Sequence, residues 1–304
     1  MNAILAALVP VGAVLALGAA LRRAGLPGDG FWVPAERLTY YLLLPALIAG
    51  SLGGARFDAL DPGYMPVAVA SAVLVGAALA MGLRRVATLD GPAFTSLFQG
   101  SIRLNGYIGF AVALSLYGKS GLALAALTVG TYVPIVNVLC VTVLGRYAGE
   151  KAADWPTVAR ILARNPLILA CLVGLALNLT GLGRIAAVAG LLDVLGRAAL
   201  AIGLMCVGAG LSFTGFRRAG TSVALVCAIK LIAMPATVLI VGGALGVGGP
   251  AITVAVLFTG LPTATSAFIL ARQMGGDAVL MAQIVAVTHA LAAATLPLVL
   301  TLAS

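Results

Sequence analysis

Apolar runs bounded by charge, glycine or proline recur along the chain at about the 20-residue length that carries a helix across a bilayer. They fall near residues 2–21, 37–53, 64–83, 93–116 and 121–145, and again near 165–182, 191–212, 219–245, 251–272 and 278–302. Between the two sets lies a single hydrophilic stretch of any length, 146–164, with Glu150, Lys151, Asp154, Trp155, Pro156 and Arg160. The pattern predicts an all-α integral membrane protein of ten transmembrane helices. Its organisation is five helices in 1–145, a cytoplasmic linker in 146–164 and five helices in 165–304.

Composition supports the membrane reading. Hydrophobic residues make up 62% of the 304 and charged ones 9%, against about 25% charged in an average soluble domain. The 38 glycines suit helices that associate in lipid by close backbone approach. The net charge of +9 would point to nucleic acid in a soluble protein, but here the cations sort by side of the membrane. One face collects Arg22, Arg23, Arg84, Arg85, Arg146, Lys151, Arg160, Arg164, Arg217, Arg218 and Arg272; the other has Arg56, Lys119, Arg184 and Arg197. Cytoplasmic retention of lysine and arginine then places both termini outside the cytoplasm in a multi-pass protein. No positive segment precedes the first run and Arg22 and Arg23 follow it, the reverse of a signal peptide, so the run is expected to be a retained helix. Cys140, Cys171, Cys206 and Cys227 lie inside apolar runs without ligand spacing, so packing is expected of them, with no metal and no cofactor.

A repeat is visible between the two sets. A shift of 156 residues lays Pro10, Gly18, Ala20, Leu21, Gly25 and Leu26 on Pro166, Gly174, Ala176, Leu177, Gly181 and Leu182, and a shift of 157 lays Asn105 on Pro262. Because each set has an odd number of helices, the second enters the membrane from the opposite side, making the repeat inverted. Inverted repeats place substrate sites near the midplane on interrupted helices.

Two spans carry such interruptions. The fourth has Gln99, Gly100, Ser101, Arg103, Asn105 and Gly106 at its middle, and the ninth reads Gly260-Leu261-Pro262-Thr263-Ala264-Thr265-Ser266. Half-helix N-termini at these breaks would aim unpaired N–H groups and positive dipole ends at the midplane, an environment for a carboxylate. Arg103, mid-span, either marks the pathway or tethers carbonyls at the break; Lys230 in the eighth span poses the same choice. Asn105 can bind a carboxylate or cap a half-helix, and Asn137, after Pro134, can line the cavity or bond between helices. His289, the single histidine, is a candidate for proton coupling or simply a hydrogen-bonded residue. The substrate-binding candidates are Arg103, Asn105, Gly106, Tyr107, Asn137, Lys230, Pro262, Thr263, Thr265 and Ser266. All nine carboxylates fall in loops or near span ends, which argues against a cation antiporter, against carboxylate catalysis and therefore against an enzyme. Asn178-Leu179-Thr180 matches a glycosylation acceptor, but it lies in or beside a helix and is expected to be inaccessible.

The stretches 36–47 (ERLTYYLLLPAL), 103–109 (RLNGYIG), 163–166 (ARNP) and 261–264 (LPTA) resemble the auxin efflux carrier family, which includes plant PIN proteins and bacterial malonate and malate permeases. The resemblance covers essentially the whole chain. It implies ten helices in inverted repeats, with the fourth and ninth unwound and crossing between a scaffold and a mobile transport domain. It also implies that Asn105 and the residues around Pro262 form the crossover, and that Asn137 matches a substrate-contacting asparagine. The short central linker differs from the long loop of many plant members, so the bacterial ones point to small carboxylates as cargo. The expected function is secondary transport of a small organic anion by alternating access, with the bilayer and a homodimer as expected surroundings and no nucleic acid. An anion channel, or a receptor or structural subunit, are the alternatives.

Overall fold

Backbone in hydrocarbon has no water to bond, so an apolar run long enough to span must satisfy its own N–H and C=O groups, and the helix does so locally. A computed structural model describes residues 2–84, 89–148, 155–211 and 220–303, and every regular element among them is helical. The first half contains α1 (Asn2–Arg23), α2 (Asp29–Leu38), a π-helical turn (Thr39–Leu43), α3 (Leu44–Gly53), the short α4 (Phe57–Leu60), α5 (Met65–Leu83), α6 (Gly91–Ile102) and α7 (Gly106–Tyr147). There follow α8 (Trp155–Ala163), α9 (Pro166–Leu179), a 3-10 turn (Leu182–Arg184), α10 (Ala186–Gly210), α11 (Thr221–Ala228), a second π-helical turn (Ile229–Ala233), α12 (Met234–Ala244), α13 (Gly249–Gly260), α14 (Ser266–Gln273) and α15 (Ala278–Ala303).

Six stretches among the described residues are long and apolar enough to cross a membrane, and seven if α8 and α9, bent by 56°, form one span. The protein is thus an all-helical, multi-pass membrane protein. Helix occupies every apolar run, but several runs are divided, and the divisions have local causes. Each π turn begins six residues before a proline, Pro45 or Pro235. Proline brings no N–H and crowds the preceding turn, and the wider π turn makes room for it. Inside α7, Gly118 adopts φ 59 and ψ −138, so the helix is interrupted by a kink there and residues 106–117 and 119–147 are separate helical segments. Arg85, Lys151, Arg217 and Arg218, on which the orientation partly rests, and the acids Glu150 and Asp154 lie outside the described residues.

The chain divides into two compact units. The first holds 1–62, 107–130 and 163–211. Its helices meet at small residues: a Cβ on Gly18 would stand 2.1 Å from the Met205 carbonyl oxygen, and one on Gly208 would stand 1.9 Å from that of Leu15, so α1 and α10 touch backbone to backbone. Asn178, far from being a glycan acceptor, turns its Nδ2 to the carbonyls of Leu52, Gly53 and Ala55 at 3.0, 3.2 and 2.7 Å, tying α9 to the end of α3.

The second unit holds 63–106, 131–162 and 212–304. Here α5 packs on α12, and α15 packs on α6, α11, α13 and α14. Both carboxylates on these elements are helix caps. Asp90 accepts from the Ala93 N–H at 2.8 Å at the start of α6, and Asp277 accepts from the Leu280 N–H at 2.9 Å at the start of α15. The Asp277 N–H in turn donates to the Pro92 carbonyl, and Ser96 Oγ donates to the Asp277 carbonyl, pinning the starts of α6 and α15 together. All four cysteines are buried and free.

Candidate functional site

The second unit contains two helix breaks with the same construction. The helices leading into them, α6 and α13, have 12 residues each and open with Gly-Pro-Ala, at 91–93 and 249–251. After Ile102 the chain turns extended at Arg103 (φ −83, ψ 149) and stays so at Asn105 (φ −90, ψ 96) before α7 starts. After Gly260 it turns extended at Leu261 (φ −62, ψ 151) before α14 starts at Ser266. The second break follows from Pro262, which offers no N–H to the preceding turn and pushes Leu261 out of the helical region.

Each break frees carbonyls from their helical partners, and other groups take them up. The Asn105 N–H donates to the Pro262 carbonyl at 2.9 Å, so the breaks bond directly to each other. Thr263 Oγ1 donates to the Gly100 carbonyl at 2.8 Å. The Thr263 N–H, which an unbroken helix would deliver to Thr259, donates instead to Thr288 Oγ1 on α15 at 3.2 Å. The Thr259 carbonyl goes to Lys230 Nζ at 2.8 Å, and the same ammonium donates to Tyr132 Oη at 3.1 Å. Tyr132 Oη donates in turn to the Ile102 carbonyl at 2.7 Å. A lysine and a tyrosine, 0% and 1% exposed, thereby cap the C-terminal ends of both half-helices. Those ends carry the negative poles of the helix dipoles, which explains how a cation is held in the interior without a carboxylate partner.

At the opposite ends, neither Asn105 at the start of α7 nor Thr265 at the start of α14 caps its helix with its own side chain. Asn105, 2% exposed, points its Nδ2 at His289 Nε2, 3.1 Å away, and its Oδ1 is buried without a partner. His289 Nδ1 lies 2.7 Å from the Val285 carbonyl. Arg103 is partly buried, close enough to Tyr132 and Cys140 to act on both electrostatically, and its Nη1 has no partner. Both polar atoms of the Gln99 side chain, one turn earlier, are likewise buried and unpartnered.

Of the residues singled out from sequence, Asn105, Pro262, Thr263, Lys230 and His289 are drawn into the bonding around the breaks. Arg103, Gly106, Thr265 and Ser266 stand on the breaks or on the first residues of the helices leaving them. Lys230 spends its ammonium on the C-terminal side, as a tether. Asn137 is buried on α7 and makes no hydrogen bond to the break residues. Tyr107 belongs to the first unit, where its ring lies against Gly203; its hydroxyl is buried without a partner. Sequence reasoning missed Tyr132, Thr259 and Thr288. Only Tyr132, a lone phenol in an apolar run, carried a signal, and nothing in the local sequence says which carbonyl it reaches. The second Gly-Pro-Ala was readable and marks the paired starts better than the shifted matches did.

No curated protein sequence matches the chain. A family model described as membrane transport protein matches residues 4–300, nearly its full length. With that match over a fold of broken, buried, polar-centred helices, the chain belongs to the auxin efflux carrier family of membrane transporters.

Proposed function

We propose that this protein carries small organic anions, mono- or dicarboxylates such as malonate or malate, across a bacterial inner membrane by alternating access. The observation that carries the reading is the polarity of the paired breaks. Their C-terminal ends are sealed by Lys230 and Tyr132, while at the N-terminal end of α7 the Asn105 side chain makes no cap, and Arg103, two residues earlier in the same break, keeps an Nη1 without a partner. Half-helix N-termini and a guanidinium N–H are donors for a carboxylate. The carboxylates on this unit's described helices cap far ends instead. In this reading Asn105, Gly106, Arg103, Thr265 and Ser266 contact the anion, while Pro262, Thr263 and Lys230 hold the shape that presents them. Ten helices in two inverted sets, 1–145 and 165–304, with both termini outside, make the matched breaks partners by symmetry; the shared Gly-Pro-Ala and 12-residue half-helices support that arrangement.

Uptake into proteoliposomes tests it. Saturable uptake of malonate, malate or indole-acetate, lost in Asn105→Ala, is expected. Ion current without saturation would identify a channel. A folded protein that neither binds nor moves any of the three would point to a receptor or structural subunit, and unchanged uptake by Asn105→Ala would remove the site assignment.

A further inference from the structure

His289 and Asn105 face each other across 3.1 Å in the interior, and their chemistry fixes how each is oriented. The Val285 carbonyl, 2.7 Å from Nδ1, can only accept, so Nδ1 carries a proton. In the neutral ring Nε2 is then an acceptor, and the amide group facing it must be the NH2 of Asn105. This leaves Asn105 Oδ1, an acceptor, as the group with no protein partner. An acceptor is the wrong group to meet a carboxylate.

Protonation reverses the pair. With a proton on Nε2 the imidazolium donates at both nitrogens, the amide must turn over to present Oδ1 to it, and the Nδ2 donors move to the vacated direction. Charge decides when this happens. The titratable or charged groups on elements packed against α15 are Arg103 at the end of α6, Cys227 on α11, Lys230 on the π turn and Arg272 on α14. Tyr132 and Cys140 on α7 lie around Arg103. The carboxylate Asp90 caps the start of α6, about 18 Å along that helix from the break, and Asp277 caps the start of α15, about 18 Å along it from His289, at 1.5 Å per residue. Among the described elements packed around it an imidazolium at His289 finds cations and no nearby carboxylate, and a docked carboxylate supplies an anion.

We propose that His289 is a positioning residue that makes Asn105 an anion donor only when a proton binds with the substrate, so that one proton accompanies each anion. This rests on the reading of Asn105 as a substrate contact. By linkage the two ligands help each other equally: the anion draws a proton onto His289, and anion affinity falls as pH rises, by up to about tenfold per unit for one coupled proton.

Because the chain has one histidine, the full-length protein, purified without a histidine tag and labelled with 15N-histidine, reports this site alone. At about pH 7, where an ordinary imidazole is mostly neutral, Nδ1 should be protonated and Nε2 bare without anion, and both should be protonated with saturating malonate. His289→Gln, which keeps a hydrogen-bonding group but cannot titrate, should bind malonate with a flatter pH profile than wild type, the anion's own titration being common to both. If malonate binds and Asn105→Ala abolishes binding, yet the 15N resonances do not respond to malonate, the inference fails and the site stands. The wild-type resonances decide this even if His289→Gln misfolds. If malonate, malate and indole-acetate all fail to bind wild type, or bind Asn105→Ala equally well, the site assignment fails and takes the inference with it.

Discussion

Replacing Tyr132 by Phe removes one oxygen and leaves the ring in place. The residue is 1% exposed, so no solvent takes the hydroxyl's role. Its loss strands the Ile102 carbonyl, 2.7 Å away, whose helical donor the break has removed, and leaves Lys230 with Thr259 as its remaining protein acceptor. In water-soluble proteins a stranded buried carbonyl and a lost charge-assisted bond would together cost about 3 to 5 kcal/mol. In a bilayer the unfolded reference also finds partners, and interhelical bonds measure about 0.6 to 1.7 kcal/mol each. Two bonds at the upper end of that range, where a helix break offers no local alternative, give about 2 to 3 kcal/mol, or about a 30- to 150-fold shift in the unfolding equilibrium. Unfolding in mixed micelles, with intrinsic fluorescence as readout, measures this. A double-mutant cycle with Lys230→Met sharpens it. Met removes the ammonium that Tyr132→Phe leaves under-bonded, so the double variant should be less destabilised than the sum of the singles. A cost below about 0.5 kcal/mol for Tyr132→Phe, within the range of ordinary surface changes, or full additivity in the cycle, would refute the shared cap.

Gly208→Ala must force α1 and α10 apart, since its Cβ would lie 1.9 Å from the Leu15 carbonyl oxygen; overpacking of about 1 to 3 kcal/mol is expected, whereas Gly12→Ala, on the same α1 with open space around it, should be neutral. Thermal unfolding in detergent separates the two. Asn178→Ala strands three carbonyls at the end of α3 and should cost about 1 to 2 kcal/mol by the same assay, while no change in the mass of the protein on deglycosylation is expected of wild type. Thr263→Val keeps the shape but releases the Gly100 carbonyl; slower uptake with destabilisation of about 1 kcal/mol is expected, and Thr263→Ser should restore both.

Much of this was readable before any coordinates. Bilayer thickness sets helix length, so apolar runs gave the helices, and proline chemistry marked Pro262 as a break. Asn105 stood out because polar residues are costly in mid-span. The rest depended on register between distant elements. That Lys230 meets Thr259 and Tyr132 meets Ile102 is fixed by how α7, α13 and the second π turn pack, across 29 and 30 residues of sequence separation. Sequence alone left Lys230 suspended between ligand and tether because an ammonium at a half-helix can serve either end, and only the packing tells which. Tyr107 was placed with the site by adjacency to Gly106, yet its ring turns to Gly203, because neighbouring residues on a helix point about 100° apart.

The bonding at the breaks also limits how the protein can change over time. Each carbonyl on the C-terminal side is met from a distant part of the chain, so a substitution there disturbs several elements at once, and such positions can drift only together. On the N-terminal side the Asn105 side chain fastens no helix end, and the bond that joins the breaks there runs from its backbone N–H, which an exchange of the side chain leaves in place. A lineage can therefore retune what it carries while inheriting the fastening unchanged, and divergence in cargo should appear on one side of the crossing long before it appears on the other.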